Sequence, residues 1–374
     1  MRLNASLDDK VLTQLSLPLR HGGFGFSSIQ ELSPIAWTAS LIQYLTSDLI
    51  PKIAMSLPNN IKEELSDTID LIKSYWPKDL PTDLLEIQKL SSSDENIADL
   101  QKSLAEAAHK KNFDALRNQT IEDNDTLKLN HLVAATADHA STWLEVLPTS
   151  PELTLTEAEF IQAAHLRLTI RPKFPKVCSE CNKGPFQEDP WHVLSCNRLH
   201  GSLHTMRHNT IIDILKKWAI RVGVNWVITE PADLDPDTDI RPDMLFFCEQ
   251  LMLITDVRIC HPGAKSYLRK GNPKCLKTAK DAETEKHKMY DKLAQTNNAV
   301  FIPFVVETLG GFGPEAIKLL HALLPSEEDP TSSIYPHRQS KRIIIEEISI
   351  ALQKSNAIIM TRSFSRSKGL LFRN

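Results

Sequence analysis

Arg241-Pro242-Asp243-Met244-Leu245-Phe246-Phe247-Cys248 and Leu251-Met252-Leu253-Ile254-Thr255-Asp256-Val257-Arg258-Ile259 are two apolar runs that each carry an aspartate. Asp243 opens the first run, Asp256 sits inside the second, and twelve residues separate them. Carboxylates rarely interrupt apolar strands unless something pairs with them. Two acids on neighbouring strands can share one divalent cation, because hard cations take oxygen ligands. A lysine-rich stretch, Lys277 to Leu293, follows.

Working outward, the flanking periodicities define a core. Arg207 to Val222 has apolar residues at helical spacing (Ile211, Ile212, Leu215, Trp218, Ala219). Trp226 to Thr229, Met244 to Cys248 and Leu251 to Ile259 read as strands, Lys277 to Leu293 as a charged helix, and Ala299 to Val306 as a strand. The order αβββαβ over 207–330 predicts a short mixed sheet flanked by helices, an α+β core. Pro314 to Leu324 and Arg342 to Leu352 read as further helices. The basic tail from Thr361 is expected to fray, so 331–374 is a C-terminal helix and tail.

Residues 1–150 read as a helical region. Its start is broken by Pro18 and Gly22-Gly23-x-Gly25. Helices are predicted over Ala36 to Ile53, Ile61 to Tyr75, Ile97 to Leu116 and Leu127 to Leu147. Residues 151–206 hold one more helix, Ala158 to Leu168, and then a cysteine cluster. No repeat and no low-complexity segment stands out.

In that cluster Cys178-x-x-Cys181 is followed by ten residues, His192, three residues and Cys196. A CxxC turn offers two thiolates from one knuckle, and His192 and Cys196 at i, i+4 would share one face of a helical turn. Three thiolates and an imidazole close a tetrahedron, so Zn2+ is the expected occupant and its role is structural. His200 and His204 are alternative fourth ligands. Cys248, Cys260 and Cys275 read as reduced thiols, the first two in apolar strands.

Composition is that of a globular chain: 374 residues, 41% hydrophobic, 24% charged, net charge −4. Residues 1–150 carry 13 Lys+Arg against 21 Asp+Glu, and 151–374 carry 30 against 26. An anionic partner would therefore meet the second half. No apolar run is long enough to span a bilayer and no signal pattern opens the chain, so an intracellular location is expected.

The acids suggest a reaction. A cation held by Asp243 and Asp256 would lower the pKa of a bound water and neutralise charge on a phosphate. Glu230, after the Val227-Ile228-Thr229 strand, could complete the cluster. A lysine would orient or deprotonate the attacking water. Two residues after Asp256 stands Arg258, which stays protonated and can clamp a phosphate but not act as a base. Lys286 or Lys288 on the following helix are then the candidates. Asp256 and Arg258 could also form a plain salt bridge. Arg207-His208 opens its helix either as a phosphate contact or as an exposed helix end. Glu307 to Gly313 reads as a glycine-rich turn rather than a nucleotide-binding loop.

These residues resemble the C-terminal region of non-LTR retrotransposon polyproteins that carry a restriction-like endonuclease. The matching features are the CCHC knuckle (Cys178, Cys181, His192, Cys196), Arg207-His208, Pro242-Asp243, Asp256 and Lys286-His287-Lys288-Met289-Tyr290. Leu17-Pro18-Leu19-Arg20-His21-Gly22-Gly23-Phe24-Gly25 is similar to the segment after the polymerase palm in such elements. The resemblance implies a restriction-endonuclease-like fold and Mg2+- or Mn2+-dependent nicking of duplex DNA. It makes Asp243, Asp256, Lys286 and Glu230 catalytic, with Arg207, His208, Arg258, Lys288 and Tyr290 on DNA. Lys286, thirty residues beyond Asp256, takes the place of the displaced lysine. Met289 stands where the family often has lysine. No aromatic-x-Asp-Asp polymerase motif occurs. The implied partners are DNA, element RNA and a separate reverse transcriptase, with a nuclear or otherwise intracellular location. A catalytically inactive nucleic-acid-binding remnant is the alternative.

Overall fold

A computed structural model describes residues 8–46, 58–76, 82, 95–171, 178, 181, 191–196, 198, 203–224, 226–232, 234, 240–248, 251–268, 273–324 and 337–371. Helices and a mixed sheet make this an α+β chain. It divides into two units, Leu7–Gln119 and Thr120–Asn374. No described helix is long and apolar enough to cross a membrane.

The first unit is helical. Asp8 caps α1 (Asp9–Ser16) by accepting the Val11 N–H at 2.8 Å. The glycine turn then folds back on α1. A Cβ on Gly23 would lie 2.0 Å from the Leu17 carbonyl oxygen, so only glycine fits. α2 (Ile29–Leu45), α3 (Asn59–Ile72), α4 (Glu95–Ala98) and α5 (Leu100–Glu122) follow. Ile35, Ile42, Leu65, Ile69 and Leu104 form their core. α2 begins at Ile29 rather than at Ala36 and continues through Pro34; 47–53 of the expected helix lie outside the described residues.

The second unit starts with α6 (Thr126–Ala134), α7 (Thr142–Glu145) and α8 (Glu157–Leu168). The expected single helix from Leu127 to Leu147 is broken after Ala134, and His139 turns the chain at φ 67°. α8 opens with a capping box of Thr156 and Glu159. Residues 120–150, read in the sequence with the N-terminal region, belong to this unit. Arg167 on α8, buried, donates to the Ala140 carbonyl at 2.9 Å.

α9 (Thr205–Arg221) leads into β1 (Trp226–Thr229), β2 (Met244–Cys248), β3 (Leu251–Thr255) and β4 (Val257–Cys260). α10 (Lys277–Thr296), β5 (Val300–Phe301), β6 (Phe304–Glu307), α11 (Pro314–Ala322) and α12 (His337–Leu371) complete the unit. β1–β2 and β2–β3 pair antiparallel, and β3–β5 and β4–β6 pair parallel. The predicted strands Leu251 to Ile259 and Ala299 to Val306 are thus each split in two. Asp256 interrupts one, and Pro303, which has no N–H, interrupts the other. Backbone bonds carry the ladder across the gap: Ile302 N–H to Ile254 O at 2.9 Å and Phe304 N–H to Asp256 O at 3.0 Å.

One sheet face packs on α9, α11 and α12 through Leu215, Trp218, Phe246, Leu253, Leu320 and Ile348. The other is covered by α10, with Leu245, Ile254, Tyr290, Leu293 and Phe301 in contact. Each such large apolar side chain stabilises the fold by about 1.5–3 kcal/mol. α12 runs on to Leu371, through the tail that the sequence suggests would fray. Ile344, Ile348, Leu352 and Ile359 bury along it, and no proline or glycine interrupts it before Gly369. After β6 the glycine-rich segment is a turn, with Gly310 at φ 102° and its N–H donating to the Glu307 carbonyl at 2.8 Å. Cys248, Cys260 and Cys275 form no disulfide.

Candidate functional site

Sheet register places three acids in one row. Thr229 pairs with Met244, and Met244 pairs with Thr255. Extending each ladder by one residue sets Glu230, Asp243 and Asp256 side by side. The Glu230 N–H donates to the Asp243 carbonyl at 2.8 Å. Residues directly opposite in an antiparallel pair share a face, which sets the Asp243 and Asp256 side chains together, whereas Glu230, at φ 50°, has left strand geometry. Here that face belongs to α10, because Leu245 and Ile254, two residues from each aspartate, pack against it.

Asp256 is 5% exposed and is met by two residues one turn apart on α10. The Lys286 ammonium forms an ion pair with Oδ2. The Tyr290 hydroxyl donates to Oδ1 at 2.6 Å and lies 3.1 Å from the Arg241 carbonyl. Tyr290 stacks on Phe301 at 4.9 Å between ring centroids, and Lys286 Nζ lies 5.5 Å from the Tyr290 centroid. Asp243 Oδ2 accepts the Val257 N–H at 2.6 Å and His208 Nε2–H at 3.0 Å. The same Nε2 lies 3.2 Å from the Val257 carbonyl.

The two carboxylates act on one another and on their neighbours. Burial raises the Asp256 pKa, the Asp243 carboxylate raises it further, and Lys286 pulls it back. Burial and Asp256 also raise the Tyr290 phenol. Burial pulls His208 down, but the bond to Asp243 and its charge outweigh that, leaving its pKa above the ordinary value. One lysine and one histidine thus stand against the two carboxylates.

Several expected roles change. Arg207 is 2% exposed and cannot meet a phosphate; its guanidinium donates to Asn356 Oδ1 at 2.8 Å and the Leu194 carbonyl at 3.2 Å. Tyr290 is likewise buried at the carboxylates rather than free for DNA. Lys288 is exposed and lies about 200° around the helix from Lys286, away from the aspartates. Arg258 is tied to Glu285 Oε2 at 2.6 Å and to the Tyr267 hydroxyl at 2.7 Å. The plain Asp256–Arg258 salt bridge is therefore not what forms. Glu230 is exposed at φ 50°, and what brings it to Asp243 is its backbone. Glu285, Tyr267 and Asn356 were not foreseen. Only Glu285 had a local cue, adjacent to Lys286 on a charged helix.

The knuckle assembles as its spacing implied. The ligand atoms of Cys178, Cys181, His192 and Cys196 lie within 4.8 Å of one another. Cys178 Sγ is 3.8 Å from Cys196 Sγ, and Cys181 Sγ is 3.2 Å from His192 Nε2. This donor set fits zinc. The turn between His192 and Cys196 is 3₁₀, over His192–Leu194, rather than α-helical. His204 is not a ligand: its Nε2–H donates to the Val193 carbonyl at 2.8 Å. His200 lies outside the described residues. Buried Trp191 packs on His131 at 5.2 Å between centroids.

No protein-family model and no curated protein matches the chain.

Proposed function

We propose that the chain is a metal-dependent DNA endonuclease of retrotransposon origin. Its core would be restriction-endonuclease-like, and it would nick duplex DNA by phosphodiester hydrolysis in the nucleus. The observation that carries this reading is the convergence of Asp243, Asp256 and Lys286 on one face of the sheet. The order α9, β1 to β4, α10, β5 and β6, which is the expected αβββαβ with two of its strands each split, and the knuckle before it support the same assignment.

Asp243 and Asp256 would hold Mg2+ or Mn2+. When bound, that cation supplies Lewis-acid polarisation of a phosphate and a water of lowered pKa. Lys286 puts a positive Nζ beside Asp256, where it can orient a water or offset charge growing on a phosphate oxygen. Tyr290 fixes the second Asp256 oxygen. Glu230, exposed at the end of the row, is open to solvent and substrate. The knuckle, closed by four ligands, would brace α9 rather than react.

The test is conversion of supercoiled plasmid to open circle by the zinc-loaded full chain in Mg2+. Nicking is expected, and Asp256→Asn or Lys286→Ala should each slow it more than about 100-fold. An unchanged rate in Asp256→Asn would refute the assignment. DNA binding without nicking in both Mg2+ and Mn2+ would favour an inactive nucleic-acid-binding remnant. The tethering of Arg258 by Glu285 and Tyr267 is the observation on that side.

A further inference from the structure

Arg207 and His208 are consecutive residues that serve different sites. Arg207 reaches back to the Leu194 carbonyl of the knuckle and to Asn356 on α12. His204, one turn earlier, bonds the Val193 carbonyl of the same knuckle. The start of α9 is therefore anchored to the cysteine cluster. His208, on that anchored turn, points the other way, at Asp243 Oδ2 (3.0 Å) and the Val257 carbonyl (3.2 Å).

We infer that His208 is a positioning residue for Asp243. The inference rests on the cation-centre reading above. One imidazole edge ties the start of β2 to the start of β4, the two segments that present the aspartates. Asp243 Oδ2 already accepts the Val257 N–H at 2.6 Å, and the bond from His208 gives it a second donor. That fixes the carboxylate's rotation and leaves Oδ1 to meet a cation. Groups that orient a ligand in this way commonly set metal affinity by 10–100-fold. Because Arg207 and His204 hold the turn, the knuckle sets where His208 stands.

The experiment measures Mn2+ affinity of the zinc-loaded full chain by electron paramagnetic resonance. Thermal melting of each variant accompanies it. His208→Ala is expected to raise the Mn2+ Kd by about 10–100-fold. His208→Gln, whose amide nitrogen can take the place of Nε2, should recover most of that loss. His208→Asn keeps a polar side chain but stops short of Asp243, and it carries the same expectation as alanine should the alanine variant not fold. Asp256→Asn is the reference and should lose Mn2+ binding. If Asp256→Asn loses the ion while His208→Ala binds it as tightly as the parent, or more tightly, the positioning role is wrong and the cation centre stands. If Asp256→Asn binds as the parent does, the cation centre itself is wrong and the role of His208 falls with it.

Discussion

The knuckle and the carboxylate row are built by opposite routes. All four knuckle ligands come from nineteen consecutive residues, Cys178 to Cys196, and their ligand atoms lie within 4.8 Å of one another. The carboxylate row draws on three strands and two helices, from His208 to Tyr290, and exists only once the sheet has its register. The first site should therefore be a condition of folding nearby. The second should be a product of folding that can lose its charges with the fold intact.

The largest expected effect follows from the knuckle side. Removing zinc, by chelation or Cys181→Ser, should lower the melting temperature by more than about 10 °C, because metal-binding energy becomes folding energy in such sites. The loss should reach the start of α9, which leans on the Val193 and Leu194 carbonyls. Hydrogen exchange across 203–215 would locate it. A melting temperature indifferent to zinc would erase the contrast.

On the other side, Asp256→Asn should cut Mg2+-dependent nicking more than about 100-fold. Its melting temperature should stay within a few degrees of the parent, since the change removes a buried charge that burial and Asp243 already disfavour. Plasmid nicking and calorimetry on one preparation check both halves.

A third effect is set by pH. Glu307 is 1% exposed and accepts the Ala279 N–H at 3.1 Å, holding the start of the helix that carries Lys286. Burial raises its pKa from 4.5 to about 7. A carboxyl raised in the folded state contributes its stability below the unfolded pKa and loses it as pH rises through the folded one. Stability should thus fall between pH 4.5 and about 7 by on the order of 3 kcal/mol. Glu307→Gln should flatten that slope and be the more stable form at pH 8, as urea melts would show.

The smallest effect distinguishes two lysines of one helix. Lys286 meets Asp256, whereas exposed Lys288 faces away. Lys288→Ala should change the nicking rate by less than about 3-fold, where Lys286→Ala costs about 100-fold. Equal losses measured on the same plasmid would mean that the register of α10 is misread.

Much of this was legible in the sequence where chemistry is local. The CxxC spacing and the aspartates in apolar runs each declare themselves within a few residues. Arg258 in the usual lysine position narrows the lysine to Lys286 or Lys288, but the choice of Lys286 needs the family resemblance, because a thirty-residue step carries no periodic signal. Arg207 was misjudged: a cation near a helix start reads as exposed until the fold supplies carbonyls to bury it against. The seven-residue break after Ala134 and the length of α12 were missed for a related reason. Tertiary packing decided both, over sequence that suits a helix either way.

The most direct measurement is a crystal structure of the full chain grown with Mn2+, with anomalous data collected between the manganese and zinc edges. A cation centre shared by the two strands requires one manganese peak bonded to carboxylate oxygens of both Asp243 and Asp256. The Lys286 ammonium should stand on the α10 side of that peak. Manganese absent from that position, or bound by only one of the two aspartates, would contradict it.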